Sequence, residues 1–131
     1  MSSAKQFLQD CQTFYLATVE GDQPRVRPFG AVAEFEGKLY ICTNNTKPCF
    51  AQMVQNGKVE LSGMAGRQWI RLSGTVAVDD RDEARSAMLE QNDVLGSMYK
   101  LGDGIFEVLY FESGEATVYS FTGEPEKVAL V

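Results

Sequence analysis

The chain has 131 residues, 44% of them hydrophobic and 23% charged, which fits one globular domain spanning residues 1–131 and excludes a disordered or fibrous protein. Its 18 acidic and 12 basic residues leave a formal charge of −6, which disfavours nucleic acid as a partner but still allows one phosphate held by a few local cations. Histidine is absent, so His-dependent nucleophilic pairs, a His general base and His-ligated metal are all excluded.

Ser2 and Ser3 are expected to cap a short helix with Phe7, Leu8 and Cys11 on one face. The period then changes to two. TFYLATV, residues 13–19, reads as a strand ended by the turn GDQP. The next run, RVRPFGAVAEF, is also strand-like, and its Pro28 belongs at an edge, a bulge or a ligand-facing position because it has no N–H to donate. After Glu36 and Gly37, KLYICT completes an expected three-strand meander. A polar connection, Asn44 to Pro48, leads into a helix with Phe50, Met53 and Val54 on one face and Gly57 at its end.

KVELSG and RQWIRLSGTVAV are two further strands, with Gly74 a candidate bend or bulge in the second. Asp80 and Glu83 have capping-box spacing ahead of a helical stripe of Ala84, Ala87 and Met88. IFEVLYFES and EATVYSFTG are expected to form a closing hairpin across Ser113 and Gly114. Strands joined mostly by hairpins, with helices only at the periphery, exclude a doubly wound parallel sheet and point to a mainly β antiparallel barrel.

Cys11, Cys42 and Cys49 are odd in number and fit no CxxC or zinc-ribbon spacing. They read as buried, unreactive thiols of a protein in a reducing cytosol, with no metal site. No run of ~18 apolar residues and no signal-peptide core is present, so a cytoplasmic protein without membrane attachment is expected.

Three segments carry groups suited to an anion or a flat ligand. In TNNTKP, Thr43, Asn44 and Thr46 offer neutral donors and Lys47 a charge just ahead of a helix N-terminus, although the same residues also shape turns and caps. Arg25 and Arg27 alternate on one strand and so share a face; their partner is either a surface carboxylate or a phosphate. In RQWIR, Gln68 faces one way and Arg67, Trp69 and Arg71 the other, with Trp69 a core, interface or ligand-contact residue.

Taken in order, FYLATVEGDQPRVRPFGAV, LYICTNNTKPCFAQM and RQWIRLSGTVAV resemble the pyridoxamine 5′-phosphate oxidase-like flavoproteins over roughly residues 7 to 121. The resemblance implies a six-stranded antiparallel Greek-key split barrel with a few peripheral α-helices, forming a homodimer that binds FMN between its subunits. It also implies that Arg27, Thr43, Asn44 and Lys47 serve the FMN phosphate, that Pro28 and Phe29 run along the flavin ring, and that Gln68 reaches the cofactor.

The true oxidase uses a C-terminal arginine and histidine and a substrate lysine. Here histidine is absent, the chain stops at Val131, and an apolar residue near Val32 replaces the lysine. The expectation is therefore a small FMN-dependent oxidoreductase of the flavin reductase and nitroimidazole-resistance-like branch, working with a small-molecule electron donor and acceptor. No catalytic side chain is assigned, because FMN carries the electron chemistry. Alternatives are the same barrel around a deazaflavin or haem, or a non-catalytic flavin-binding or stress protein.

Overall fold

The computed structural model describes residues 3–131. It is an antiparallel split barrel of the expected class, built from eight strands rather than six. The strands are β1 (Phe14–Glu20), β2 (Gln23–Phe29), β3 (Val32–Phe35), β4 (Lys38–Asn44), β5 (Lys58–Ala65), β6 (Gln68–Asp79), β7 (Phe106–Ser120) and β8 (Glu126–Val128). The helices are α1 (Ala4–Cys11), α2 (Pro48–Gln55) and α3 (Asp82–Gln91), followed by a 3₁₀ turn over Asp93–Ser97.

The strands run in the order β2-β1-β5-β6-β7-β4-β3, with β8 added to β7. This corrects the expected meander. RVRPFGAVAEF is not one strand, because it changes partner at Gly30 and Ala31: β2 pairs with β1, and β3 pairs with β4. Both halves have strand periodicity, and long-range packing rather than local pattern chooses their partners. The two edge strands are thus joined by two residues, which holds their ends together at one rim.

The closing hairpin is also corrected. Ser113 and Gly114 lie inside β7, which runs unbroken alongside β6. A Cβ on Gly74, opposite Gly114, would come within 2.5 Å of the Ser113 carbonyl and 2.7 Å of the Phe111 ring, so only glycine permits this approach. The register shifts one residue further on, between Thr75 and Val76, leaving Glu112 as the extra residue of a bulge.

At the N-terminus, Ser3 caps α1 by accepting from the Gln6 N–H at 3.2 Å; Ser2 lies outside the described residues. The carbonyls of Ala129 and Leu130 accept from the first helical N–H groups, Ala4 and Lys5, so the C-terminal segment ties down the N-terminal helix. The expected capping box at Asp80 does not form. Arg81 is the N-cap of α3, and the Asp80 carboxylate instead pairs with Arg85.

Two apolar clusters hold the fold. Leu16, Leu61, Ile70, Leu72, Ile41 and Leu109 fill the barrel. Ala33, Tyr40, Met88, Phe106 and Val108 bind α3 to the β3–β4 side. Beside this second cluster the Tyr40 hydroxyl donates to Asp79 at 2.6 Å, and Arg81 bridges Asp79 to Glu36.

Candidate functional site

The rim where the edge strands meet opens into a cleft. One wall is β2 and the Gly30–Ala31 link, another is the end of β4, and the third is the start of α2, whose N-cap is Lys47 and whose first residue is Pro48. Two adjoining cavities, of about 250 Å³ and about 610 Å³, share Arg27, Pro28, Lys47 and Cys49. Together they fall in the range of small-molecule sites.

The prolines of β2 follow from this position. Glu20 and Gln23 close a two-residue turn with Gly21 at φ +63°, the arrangement in which the closing pair is hydrogen-bonded and bonding then alternates along the ladder. Pro24, Val26 and Pro28 therefore face away from β1. Their edge offers carbonyl acceptors and a single N–H, which blunts strand addition without losing a ladder bond.

Arg27 and Arg25 share a face but not a role. Arg25 pairs with Glu20 at 2.9 Å across an exposed surface, a contact of little energetic weight. Arg27 is half-buried and held on three sides. Its Nη1 donates to the Leu16 carbonyl at 3.1 Å and to Thr18 Oγ1 at 2.8 Å, and its Nη2 to Gln52 Oε1 at 2.7 Å. Thr18 and Gln52 are themselves buried and bonded to each other, so the guanidinium is fixed in place, with two of its donors unpaired among the described residues. Lys47, across the cleft, has no carboxylate partner among the described residues. One fixed and one unpaired cation thus sit beside the positive end of α2.

The smaller cavity has a different character. The 3₁₀ turn contributes Val94 and Leu95, and the two residues that follow it contribute Met98 and Tyr99, with Val94 and Met98 both exposed. Cys42 and Cys49 also line it; burial pushes the Cys42 thiol up to about 12, so it stays protonated and behaves as apolar wall. Thr43 Oγ1 lies 3.5 Å from Cys49 Sγ.

Of the seven residues singled out in the sequence, Arg27, Pro28, Phe29, Thr43 and Lys47 line the cleft. The Asn44 side chain is engaged elsewhere, with Oδ1 accepting from Thr46 and Nδ2 donating to Tyr99. Gln68 opens β6 between Ala65 and Ser120 and lines neither cavity. Sequence reading missed the 3₁₀ wall and Gln52. Val94, Leu95 and Met98 are an apolar cluster in a segment without helical or strand period, which was their only signal.

On the outer face of the barrel, Trp69 stacks on Tyr119 with centroids 5.4 Å apart and packs against Phe121 at 5.1 Å. The Arg71 guanidinium lies 5.6 Å from the Tyr119 centroid. Met64, opposite Trp69, is 57% exposed and Phe121 is 74% exposed. No helix among the described residues is long and apolar enough to cross a membrane.

A family profile described as pyridoxamine 5′-phosphate oxidase matches residues 2–111. A solved NimC/NimA family protein from Clostridium acetobutylicum is 60% identical, with a TM-score of 0.91 over 95% of this chain and 91% of that one. More distant structures share the fold. An FMN-binding, pyridoxamine 5′-phosphate oxidase-related protein from Nostoc punctiforme is 17% identical, with a TM-score of 0.66 over 94% of this chain and 82% of that one. A haem-binding protein from Mycobacterium smegmatis is 14% identical, with a TM-score of 0.74 over 98% of this chain and 58% of that one. No curated protein matches the chain.

Proposed function

Since the chain belongs to the pyridoxamine 5′-phosphate oxidase family, we propose that it binds FMN in the cleft at the split of the barrel and acts as a small flavin-dependent oxidoreductase. The observation that carries this reading is the pairing of a fixed Arg27, with donors to spare, and an unpaired Lys47 at the start of α2. In a chain of net charge −6, two such cations beside a helix N-terminus suit a phosphate dianion.

Arg27 and Lys47 would hold the phosphate where the two cavities meet, Thr43 would flank it, and the Pro28–Phe29 backbone would border the ring. When bound, FMN supplies the electron transfer. The chain's own task is to position the ring and exclude water with the Phe29, Ala31 and Leu95 wall, work that requires no histidine.

Pyridoxamine phosphate is not the substrate in this account. It would bring a second phosphate, whereas the remaining cation of the cleft, Arg25, is already paired with Glu20. The reacting partner is instead a small molecule without a phosphate.

The working species is a homodimer with an interface above about 2,000 Å². The outer face carrying Tyr15, Met64, Trp69, Tyr119 and Phe121 concentrates exposed apolar surface in one place, as interfaces do. Titration with FMN combined with sedimentation tests the reading. One flavin per chain, with a flavin spectrum and a dimer mass, is expected. A co-purifying haem with a Soret band, a protein that takes up no FMN at saturation, or a monomer at micromolar concentration in the presence of FMN contradicts it.

A further inference from the structure

On the wall that only the smaller cavity possesses, one polar group keeps a proton to give. The Tyr99 hydroxyl accepts from Asn44 Nδ2 at 2.9 Å, and no acceptor for its own hydrogen is found among the described residues. Asn44 is held in that orientation, since its Oδ1 accepts the Thr46 N–H at 3.0 Å and the Thr46 hydroxyl as well. A flipped amide would set its NH₂ against the Thr46 N–H, donor against donor.

The phenol ring is fixed too. It stacks on Phe106 with centroids 4.9 Å apart and planes 27° from parallel, and the Tyr99 backbone N–H donates to the Leu95 carbonyl at 2.9 Å. The chain Thr46–Asn44–Tyr99 thus turns a hydroxyl proton away from Asn44, at a cavity whose neighbouring walls are Ala31, Val94, Leu95 and Met98.

We propose that Tyr99 is a ligand-contacting residue that donates a hydrogen bond to the second substrate of the flavin site, with Asn44 as the residue that positions it; this rests on the FMN reading above. The surroundings set the chemical class of that substrate. It is planar, apolar and uncharged, and it carries an oxygen acceptor such as the carbonyl of a quinone. An anion is disfavoured because Lys47 and Arg27, the cations of this cavity, are taken by the cofactor phosphate.

Menadione, a neutral quinone, is the probe. Calorimetric titration of the FMN-saturated protein and of the cofactor-free protein reads its affinity directly, without turnover. Tyr99→Phe keeps the ring and its stacking and loses the hydroxyl, and is expected to weaken menadione about tenfold while FMN affinity stays within about twofold. Asn44→Asp presents only acceptors, so it draws the Tyr99 proton to itself and should weaken menadione to the same extent. The double variant should be no weaker than Tyr99→Phe alone, a non-additivity that simple loss of packing does not produce.

Equal affinity of wild type and Tyr99→Phe overturns the proposal. So does a wild-type protein that fails to bind menadione with FMN present. If FMN does not bind but the menadione pattern is seen in the cofactor-free protein, the cofactor reading fails while the role of Tyr99 stands.

Discussion

The path of seven strands ends in β2 on one side and β3 on the other, and these two edges are finished in opposite ways. At β3 the edge is sealed: the Gln91 side chain accepts from the Glu34 N–H at 3.0 Å and donates to the Glu34 carbonyl at 2.9 Å, as a neighbouring strand would, and Asn92 donates to the Val32 carbonyl. Behind it α3 packs its buried Met88 into the second apolar cluster. At β2 no strand among the described residues pairs with the edge. It is blunted by Pro24 and Pro28 and faces the cleft, next to Arg27 and Lys47. The contrast separates two demands on one sheet, stability on the β3 side and ligand access on the β2 side, so substitutions on the two sides should fail different assays.

The largest effect is expected on the sealed side. Met88→Ala removes a fully buried side chain and should lower stability by about 2–5 kcal/mol, read from chemical denaturation, with FMN affinity changed less than by either cation substitution, because Met88 reaches the cleft only through Ala31 and Leu95 of its own cluster. On the open side the pattern inverts. Arg27→Ala and Lys47→Ala should each weaken FMN by about 1–3 kcal/mol. Lys47→Ala should leave the unfolding midpoint in place, and Arg25→Ala should cost less in affinity than either.

Acid should attack the sealed side next. The Arg81 guanidinium hydrogen-bonded to Asp79, helped by the Tyr40 hydroxyl and against the effect of burial, holds the Asp79 carboxyl down to about 2 from its ordinary 3.8. A depressed folded-state pKa contributes stability that is complete above about pH 4 and is lost as the pH falls towards 2, by about 2 kcal/mol. Asp79→Asn should flatten that limb of the stability–pH curve. The smallest effect is expected for Gln91→Ala, which exposes the β3 edge to water at a cost of about 0.5–1 kcal/mol in urea denaturation and raises its tendency to self-associate.

Local pattern revealed one side of this contrast and concealed the other. The period-two runs of β1, β5 and the first half of β6 were legible because each alternates between the barrel core and solvent, whereas β4, buried on both faces at Leu39, Tyr40 and Ile41, was legible as a short apolar run. Arg27 and Lys47 were legible as charges in restricted settings, an alternating strand position and a helix start. The separation of β2 from β3 was not, because no local feature of RVRPFGAVAEF says that its halves pair with different strands. Ser113 and Gly114 read as a turn since that dipeptide is a turn signal; here the close approach to Gly74 carries the strand straight through. Asn44 and Tyr99 stand 55 residues apart, so their contact exists only once β4 and the 3₁₀ segment are folded against each other.

Whether the open edge holds a phosphate between Arg27 and Lys47 is read from the affinity of the cofactor-free protein for FMN beside its affinity for riboflavin, the same ring and side chain without the phosphate. FMN should bind tighter by about 10- to 100-fold, with the difference shrinking towards unity in the Arg27→Ala/Lys47→Ala double variant. Equal affinity of the wild-type protein for FMN and riboflavin would contradict it.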